Sequence, residues 1–321
     1  MKISKQRLIR ESGQTGFRPE ILEKVWRLMN VLEGIYAHPF LKDKLVLKGG
    51  TALNLFIFDL PRLSVDIDLN YIGKQSREEM LKQRPLVEKN MEAVFYRENL
   101  SIRRIPTKHA GGKWQLKYPS VLTAQGNLEI DLNFMFRVSL WENQRLSSQV
   151  VGNHQIHNIP VLNLHELAAG KLTALFARHA ARDLFDMHHL FTKVAIDQEQ
   201  LRFGFILYLA MSSIKSPHDI SSGDLLFNRD DFQKQLVPVL RNVKSQNALQ
   251  LWQTTKLEQC KRALSLLFPF NKQEKEFLKN LTEKGEVISS LLTNDLMMQA
   301  KIEKMPLLKW KASRVQKKKD Q

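Results

Sequence analysis

The sequence predicts an α+β protein in which a strand-containing first half, residues 1–160, gives way to an all-helical bundle, residues 161–321. Three observations carry that expectation. Leu63, Val65, Ile67, Leu69 and Tyr71 alternate with Ser64, Asp66, Asp68 and Asn70, the period-two pattern of a half-buried strand. A second alternating stretch, KWQLKYPSVLTAQGNLEIDLNFMF, is interrupted by a proline and a Gly-Asn pair, as antiparallel strands joined by a turn would be. Beyond Val161 the apolar residues recur every three to four positions, through LNLHELAAGKLTALFARHAARDLFDMHHL and on to about residue 300. No Pro- or Ser-rich linker marks the boundary, which is a change of period, and no internal repeat is present.

The other elements follow in order. Ile21, Val25, Leu28, Met29, Leu32 and Ile35 sit at helical spacing and predict an amphipathic helix over residues 20–40. After Lys48 the pair Gly49-Gly50 breaks the pattern, and TALNLFIF resumes an apolar face, so a turn feeding a helix that starts at Thr51 is expected. Residues 72–99 are charged and helical in period. The final KWKASRVQKKKDQ is expected to be a frayed tail that adds unspecific affinity for polyanions.

Composition narrows the class. The 321 residues leave room for two domains, and 49 Lys and Arg against 33 Asp and Glu give a formal charge of +16. Such an excess draws a protein towards nucleic acid at ordinary salt, although many basic proteins are merely soluble. The single cysteine, Cys260, excludes an intramolecular disulfide and a disulfide-stapled secreted fold. The apolar run Phe203 to Met211 is far shorter than the ~20 residues that cross a bilayer. MKISKQRLIRES has no hydrophobic signal core, so a soluble, cytoplasmic protein without a membrane partner is expected.

Asp66 and Asp68 are two apart on a strand, so both carboxylates leave one face and repel each other. Mg²⁺, a hard ion that prefers oxygen, is the economical counter-charge, with Mn²⁺ as the substitute. The alternative is a solvated strand face. Asp131 lies on the polar side of the second alternating segment, with Glu129 and Asn133, and can join the first pair within one sheet. Three converging carboxylates can hold two metal ions, one activating an attacking hydroxyl and one holding a triphosphate, while the third carboxylate accepts the hydroxyl proton. A calcium loop is excluded, because DIDLNYIGKQSR has Tyr71 where glycine is needed and Arg77 where glutamate is needed. LKGGTALN is not a P-loop, though its glycines can bring backbone amides close to phosphate at a helix start.

LKGGTALNLFIFDLPRLSVDIDLNYIG resembles the signature of the AbiEii family of nucleotidyltransferase toxins, related to the MenT toxins. LEIDLNFMFR resembles the family's second acidic strand, and ELAAGKLTALFARHAARDLFDMHHL its helical motifs, so the likeness spans about residues 17 to 190. The resemblance implies a mixed-sheet nucleotidyltransferase-fold domain followed by a helical domain that completes the active site. It implies an enzyme that transfers a nucleotide from an NTP to RNA, with tRNA the acceptor in relatives. It further implies a toxin of a toxin-antitoxin pair in an abortive-infection, phage-defence setting, with a cognate antitoxin as partner. On that carry-over Gly49, Gly50 and Ser64 flank the triphosphate, Asp66 and Asp68 hold metal, Lys171 binds phosphate and Asp183 completes the site. The residue after the glycines is Thr51 where serine is common in the wider superfamily, which keeps a hydroxyl but leaves its role open.

Lys171 and Arg178 are seven apart, on nearly one helical face, and can set two positive charges against a triphosphate; otherwise they are surface cations. Arg182 and Asp186, four apart, read as an exposed ion pair. Histidines 165, 179, 188 and 189 lack zinc-ligand spacing and read as packing or surface residues. Five Arg or Lys and no acid lie between Asn99 and Leu128, with Trp114 and Tyr118 interleaved. That segment is either a nucleic-acid surface with stacking aromatics or a basic hairpin with aromatics in the core. Two rival functions keep the composition: nucleotidylation of a protein hydroxyl, and a non-catalytic nucleic-acid-binding module.

Overall fold

The computed structural model describes residues 3–226, 228–241 and 246–319. The chain divides into two compact units. One comprises Met1–Arg137, Glu142–Leu162 and Leu236–Val243, and the other Val138–Trp141, Asn163–Gln235 and Lys244–Gln321.

The first unit begins with α1 (Lys5–Thr15) and α2 (Pro19–Ala37). Pro19 opens α2 where an N–H has no helical acceptor in any case, and the spaced residues Val25, Leu28, Met29, Leu32 and Ile35 are all buried. β1 (Leu45–Lys48) runs directly into α3 (Gly49–Ala52), which continues as a π turn over Leu53–Ile57. β2 (Asp66–Tyr71) and α4 (Arg77–Arg97) follow. Then come β3 (Ser101–Arg104), β4 (Gly111–Tyr118), β5 (Gly126–Asn133), β6 (Gln144–Leu146) and β7 (Ile159–Val161).

The seven strands form one mixed sheet in the order β3-β4-β5-β2-β1-β7-β6. β2 is parallel to β5 and β1 to β7, and the other neighbours are antiparallel. One face is apolar: Leu45 and Leu47, Ile67, Leu69 and Tyr71, Leu128, Ile130 and Leu132, and Trp114, Leu116 and Tyr118 are all buried. Phe95 of α4 meets Trp114 edge-on at 6.0 Å, and the Arg84 guanidinium lies over Phe134. The other face carries the intervening residues, which on β1, β2, β4 and β5 are polar at Lys48, Asp66, Asp68, Asn70, Lys113, Gln115, Lys117, Glu129 and Asp131 and apolar at the buried Val46.

Three sequence expectations change here. The acid strand begins at Asp66, three residues later than the alternation of Leu63 and Val65 implies, because the Leu63 N–H bonds instead to the Val239 carbonyl and Arg62 bridges to Leu240. The helix after the glycines starts at Gly49, with Thr51 inside it, since the Thr51 hydroxyl donates to the Asp66 carbonyl and cannot cap. Trp114 and Tyr118 are core residues, which removes base stacking from the readings of the basic hairpin.

Every named element after β7 is helical. α5 (Leu164–Arg178) is capped by Asn163, whose side chain accepts from the His165 N–H, and is followed by α6 (Ala181–Lys193) and α7 (Gln198–Met211). Helices Gln246–Leu264, Lys272–Lys279, Leu296–Lys304 and Pro306–Lys319 complete the unit. The last of these replaces the expected frayed tail. Leu308 is buried, and the Lys311 ammonium donates to the Ala210 carbonyl at 2.7 Å and to that of Ser212, satisfying acceptors at the end of α7. Asp320 and Gln321, the end of that expected tail, lie outside the described residues. No helix among the described residues is long and apolar enough to cross a membrane.

Glu166 of α5 is buried in this unit and accepts from the Tyr208 hydroxyl and the Leu140 N–H, both at 3.0 Å. Burial pushes its carboxyl up to about 7, against the opposing pull of these hydrogen bonds. A raised folded-state value means the native state holds the proton more tightly than the unfolded one, so stability is fullest below the unfolded value near 4 and falls as pH rises through about 7. Glu166→Gln should therefore gain stability relative to wild type, on the order of 3 kcal/mol, between pH 5 and pH 9 in urea titrations. An unchanged difference between the two pH values would contradict this.

Candidate active site

The polar face of the sheet concentrates the acidic residues. β2 and β5 run side by side in parallel, and their register pairs Asp66 with Glu129, Asp68 with Asp131 and Asn70 with Asn133. The two expected metal-binding strands thus stand next to each other, with Asp66, Asp68 and Asp131 all half-buried on one face. Register extends the central row on both sides: Lys48 of β1 opposes Asp68, and Lys113 of β4 opposes Asp131. A row of four residues on four strands therefore reads positive, negative, negative, positive.

Gly49 shows why glycine follows β1. Its φ of 72° lies in the left-handed region, and a Cβ there would stand well inside van der Waals contact distance of an Asp68 carboxylate oxygen. Backbone and acid thus approach as no other residue would permit. Gly49→Ala should strain the turn by about 1 to 2 kcal/mol and displace the Asp68 carboxylate, lowering transfer on the order of a hundredfold. Parallel measurement of transfer and urea stability checks both. The Gly50 carbonyl accepts from Asn54 Nδ2 at 3.0 Å, and Ser64 is buried. Thr51 is fully buried, and its hydroxyl ties α3 to the first residue of the acid strand.

The donors on this face are carboxylate oxygens, joined by Asn70 Oδ1, which is buried and has no hydrogen-bond partner among the described residues. That all-oxygen set fits a hard divalent cation. Among the described residues no three His, Cys, Asp or Glu side chains close on one point as metal ligands do, so closure requires rotation of the aspartate side chains on fixed strands.

Lys113 belongs in sequence to the basic run between Asn99 and Leu128, and it is cross-strand pairing that sets it beside the acids. Its ammonium lies 2.9 Å from Glu129 Oε2. That bond raises the Lys113 pKa, an effect reinforced by the charges of Glu129, Asp66 and Asp68, and it holds Glu129 below its ordinary range. The available signal was hairpin symmetry, since Lys113 and Asp131 are equidistant from Leu122 in the connecting turn.

In the helical unit Lys171, Arg178 and Asp183 come together. The Lys171 ammonium donates to Asp183 Oδ1 at 3.0 Å and lies 3.0 Å from Asp186 Oδ2, while Arg178 grips Asp183 with Nε at 2.6 Å and Nη2 at 3.0 Å. Asp183 and Asp186 are completely buried. Burial pushes the Asp183 carboxyl up, but Lys171 and the Arg178 fork outweigh it and hold the group below the ordinary aspartate range. Lys171 is therefore not a surface cation, although 63% of the Arg178 side chain is exposed. Asp186 is not half of an exposed pair, because it faces Lys171 in the interior. His188 bonds to Gln259 and His189 stacks on Phe185, consistent with packing roles.

A family model described as nucleotidyl transferase AbiEii toxin, type IV TA system, matches residues 30–255. Among solved structures, the chain is similar to MenT4, a nucleotidyltransferase toxin from Mycobacterium tuberculosis H37Rv. The TM-score is 0.61 at 14% sequence identity, over 98% of this chain and 99% of that one, a likeness of fold. No match was found among curated proteins.

Proposed function

The chain belongs to the AbiEii family of nucleotidyl transferase toxins, and on that premise we propose that it moves a nucleotide from an NTP to the hydroxyl of an RNA acceptor, tRNA, with Mg²⁺. The observation that carries this reading is the row of Asp68 and Asp131 in register, with Asp66 one step along β2 and the Gly49 turn against Asp68.

In this reading Asp66, Asp68 and Asp131 hold the cation, and the Gly49-Gly50 turn and Ser64 flank the triphosphate. The bound ion supplies Lewis-acid polarisation of the phosphate and hydroxyl oxygens. The acceptor oxygen attacks the α-phosphorus, the bond to the β-phosphate bridging oxygen breaks, and pyrophosphate leaves. Asp131 takes the hydroxyl proton, a role open to a carboxylate within hydrogen-bond reach of the acceptor hydroxyl. Lys171 and Arg178 are assigned to phosphate and Asp183 to their orientation, on the strength of the helical motif. Domain limits of 1–160 and 161–321 are proposed as the catalytic and helical parts. A cognate antitoxin, encoded nearby, is the proposed protein partner, and the cytoplasm the proposed compartment.

The test incubates purified protein with each α-³²P-labelled NTP, Mg²⁺ and total bacterial RNA, followed by a denaturing gel. Label is expected in a tRNA-sized, RNase-sensitive band with one or a few NTPs, and chelation should abolish it. RNase-resistant label on a protein band would move the acceptor to a protein hydroxyl. No label with any NTP would overturn the transfer reading.

A further inference from the structure

The polar face of the sheet continues past its carboxylates. On β4 the next residues of that face are Lys113, Gln115 and Lys117, set by register against Asp131, Glu129 and Asn127. The edge strand β3 then places Arg104 against Gln115 and Ser101 against Lys117. Arg104 is exposed and Lys117 half-buried, and among the described residues neither has a carboxylate partner. Lys113, 51% exposed at its side chain, is held beside the acids by Glu129.

Strand order gives this basic track a side. Reading β4-β5-β2-β1 across the sheet, Lys113 lies on one flank of Asp131 and Asp68, and the glycine turn that follows β1 lies on the other. Transfer needs two polyanionic reactants approaching from different directions. The glycine flank offers close backbone approach, which suits a compact triphosphate. The β4 flank offers separate cations, Lys113 and Lys117 about 13 Å apart along the strand with Arg104 of β3 beside the intervening Gln115, which suits a chain of phosphates. Because Trp114 and Tyr118 are buried on the opposite face, this track has charge but no stacking platform, so it reads backbone and not bases.

We infer that the β4–β3 face binds the phosphate backbone of a single-stranded acceptor end, with Lys113 engaging the phosphate nearest the reacting hydroxyl and Lys117 and Arg104 those further back. The inference rests on the carboxylate face being the transfer site, yet its test needs no turnover. Binding of a short 5′-labelled single-stranded RNA to the full chain is followed by fluorescence anisotropy across a salt series without NTP. The wild type should show affinity falling with salt. The triple variant Arg104→Gln, Lys113→Gln, Lys117→Gln should bind more weakly, with a log–log salt slope shallower by about 2, at ~0.7 per phosphate contact on a single strand. Lys113→Arg should bind as wild type. These side chains are exposed or half-buried at the sheet's polar face, so folding should be unaffected, which thermal melts verify.

An unchanged affinity and slope in the triple variant would overturn the inference, as would equal displacement of the RNA by a polyglutamate of the same charge, which would mark a surface for acidic protein. Where transfer proceeds, Lys113→Gln should raise KM for RNA and leave KM for NTP unchanged. If transfer is detected while the triple variant binds RNA normally, the acceptor track is wrong and the transfer reading stands.

Discussion

Asp68→Asn is expected to lower nucleotide transfer on the order of a thousandfold, about 4 kcal/mol of transition-state stabilisation, while leaving the protein as stable as wild type or slightly more so. Both halves follow from the register. Asp68 stands directly opposite Asp131 on a parallel neighbour and shares its face with Asp66, so three like charges crowd one patch. Like charges opposed across strands destabilise a sheet, by about 0.2 to 1 kcal/mol a pair, and the amide removes one without changing shape. A fold that keeps such a cluster at a cost to its stability is using it. Label transfer and urea unfolding on the same preparation measure the two effects. Full activity in Asp68→Asn, or loss of activity only in step with unfolding, would remove the carboxylates from the mechanism.

Asp183→Asn is the second large expected effect, and it acts on the fold as well as on transfer. Lys171 and Asp183 are both buried, and removing one partner of a buried pair costs about 3 to 5 kcal/mol because the other charge is left short of compensation. Lys171 retains Asp186, and the Arg178 half of the network is largely solvent-exposed and contributes little, so the lower end, about 3 kcal/mol, is expected. Because the folded-state value of Asp183 is depressed, its contribution is present above the unfolded value near 4 and disappears as pH falls through the lower folded value. The gap between variant and wild type should therefore be full at pH 7 and close on acidification below pH 4. A gap that persists undiminished at pH 2 would show that the charge is not what Asp183 contributes.

The periodicities that were legible in the sequence are those with one face buried. The alternation of Ile67, Leu69 and Tyr71 and of Leu128, Ile130 and Leu132 marks strands because each packs one side only, and the acids fall on the other side by necessity. β1 escaped because Leu45 to Lys48 is too short for its period to be read, although it delivers the glycine turn. Lys113 escaped because its meaning lies in a cross-strand partner and not in its neighbours in sequence. The basic C-terminal stretch looked unstructured because it follows the buried Leu308 with polar anchors to distant residues: Lys311 bonds to carbonyls about a hundred residues away, and Gln316 Nε2 donates to the Gly285 carbonyl. Charge composition alone carries no trace of either contact.

The bond from the Leu63 N–H to the Val239 carbonyl, and the bridge from Arg62 to Leu240, have a consequence in time. The segment immediately before the acid strand is anchored by residues that are synthesised long after it. A nascent or truncated chain ending short of them has its acid strand and glycine turn in sequence but lacks the backbone partner that fixes where that strand begins. Label transfer is therefore expected to be lost in C-terminal truncations that end before Val239, and an active truncation of that kind would show that the anchor is dispensable.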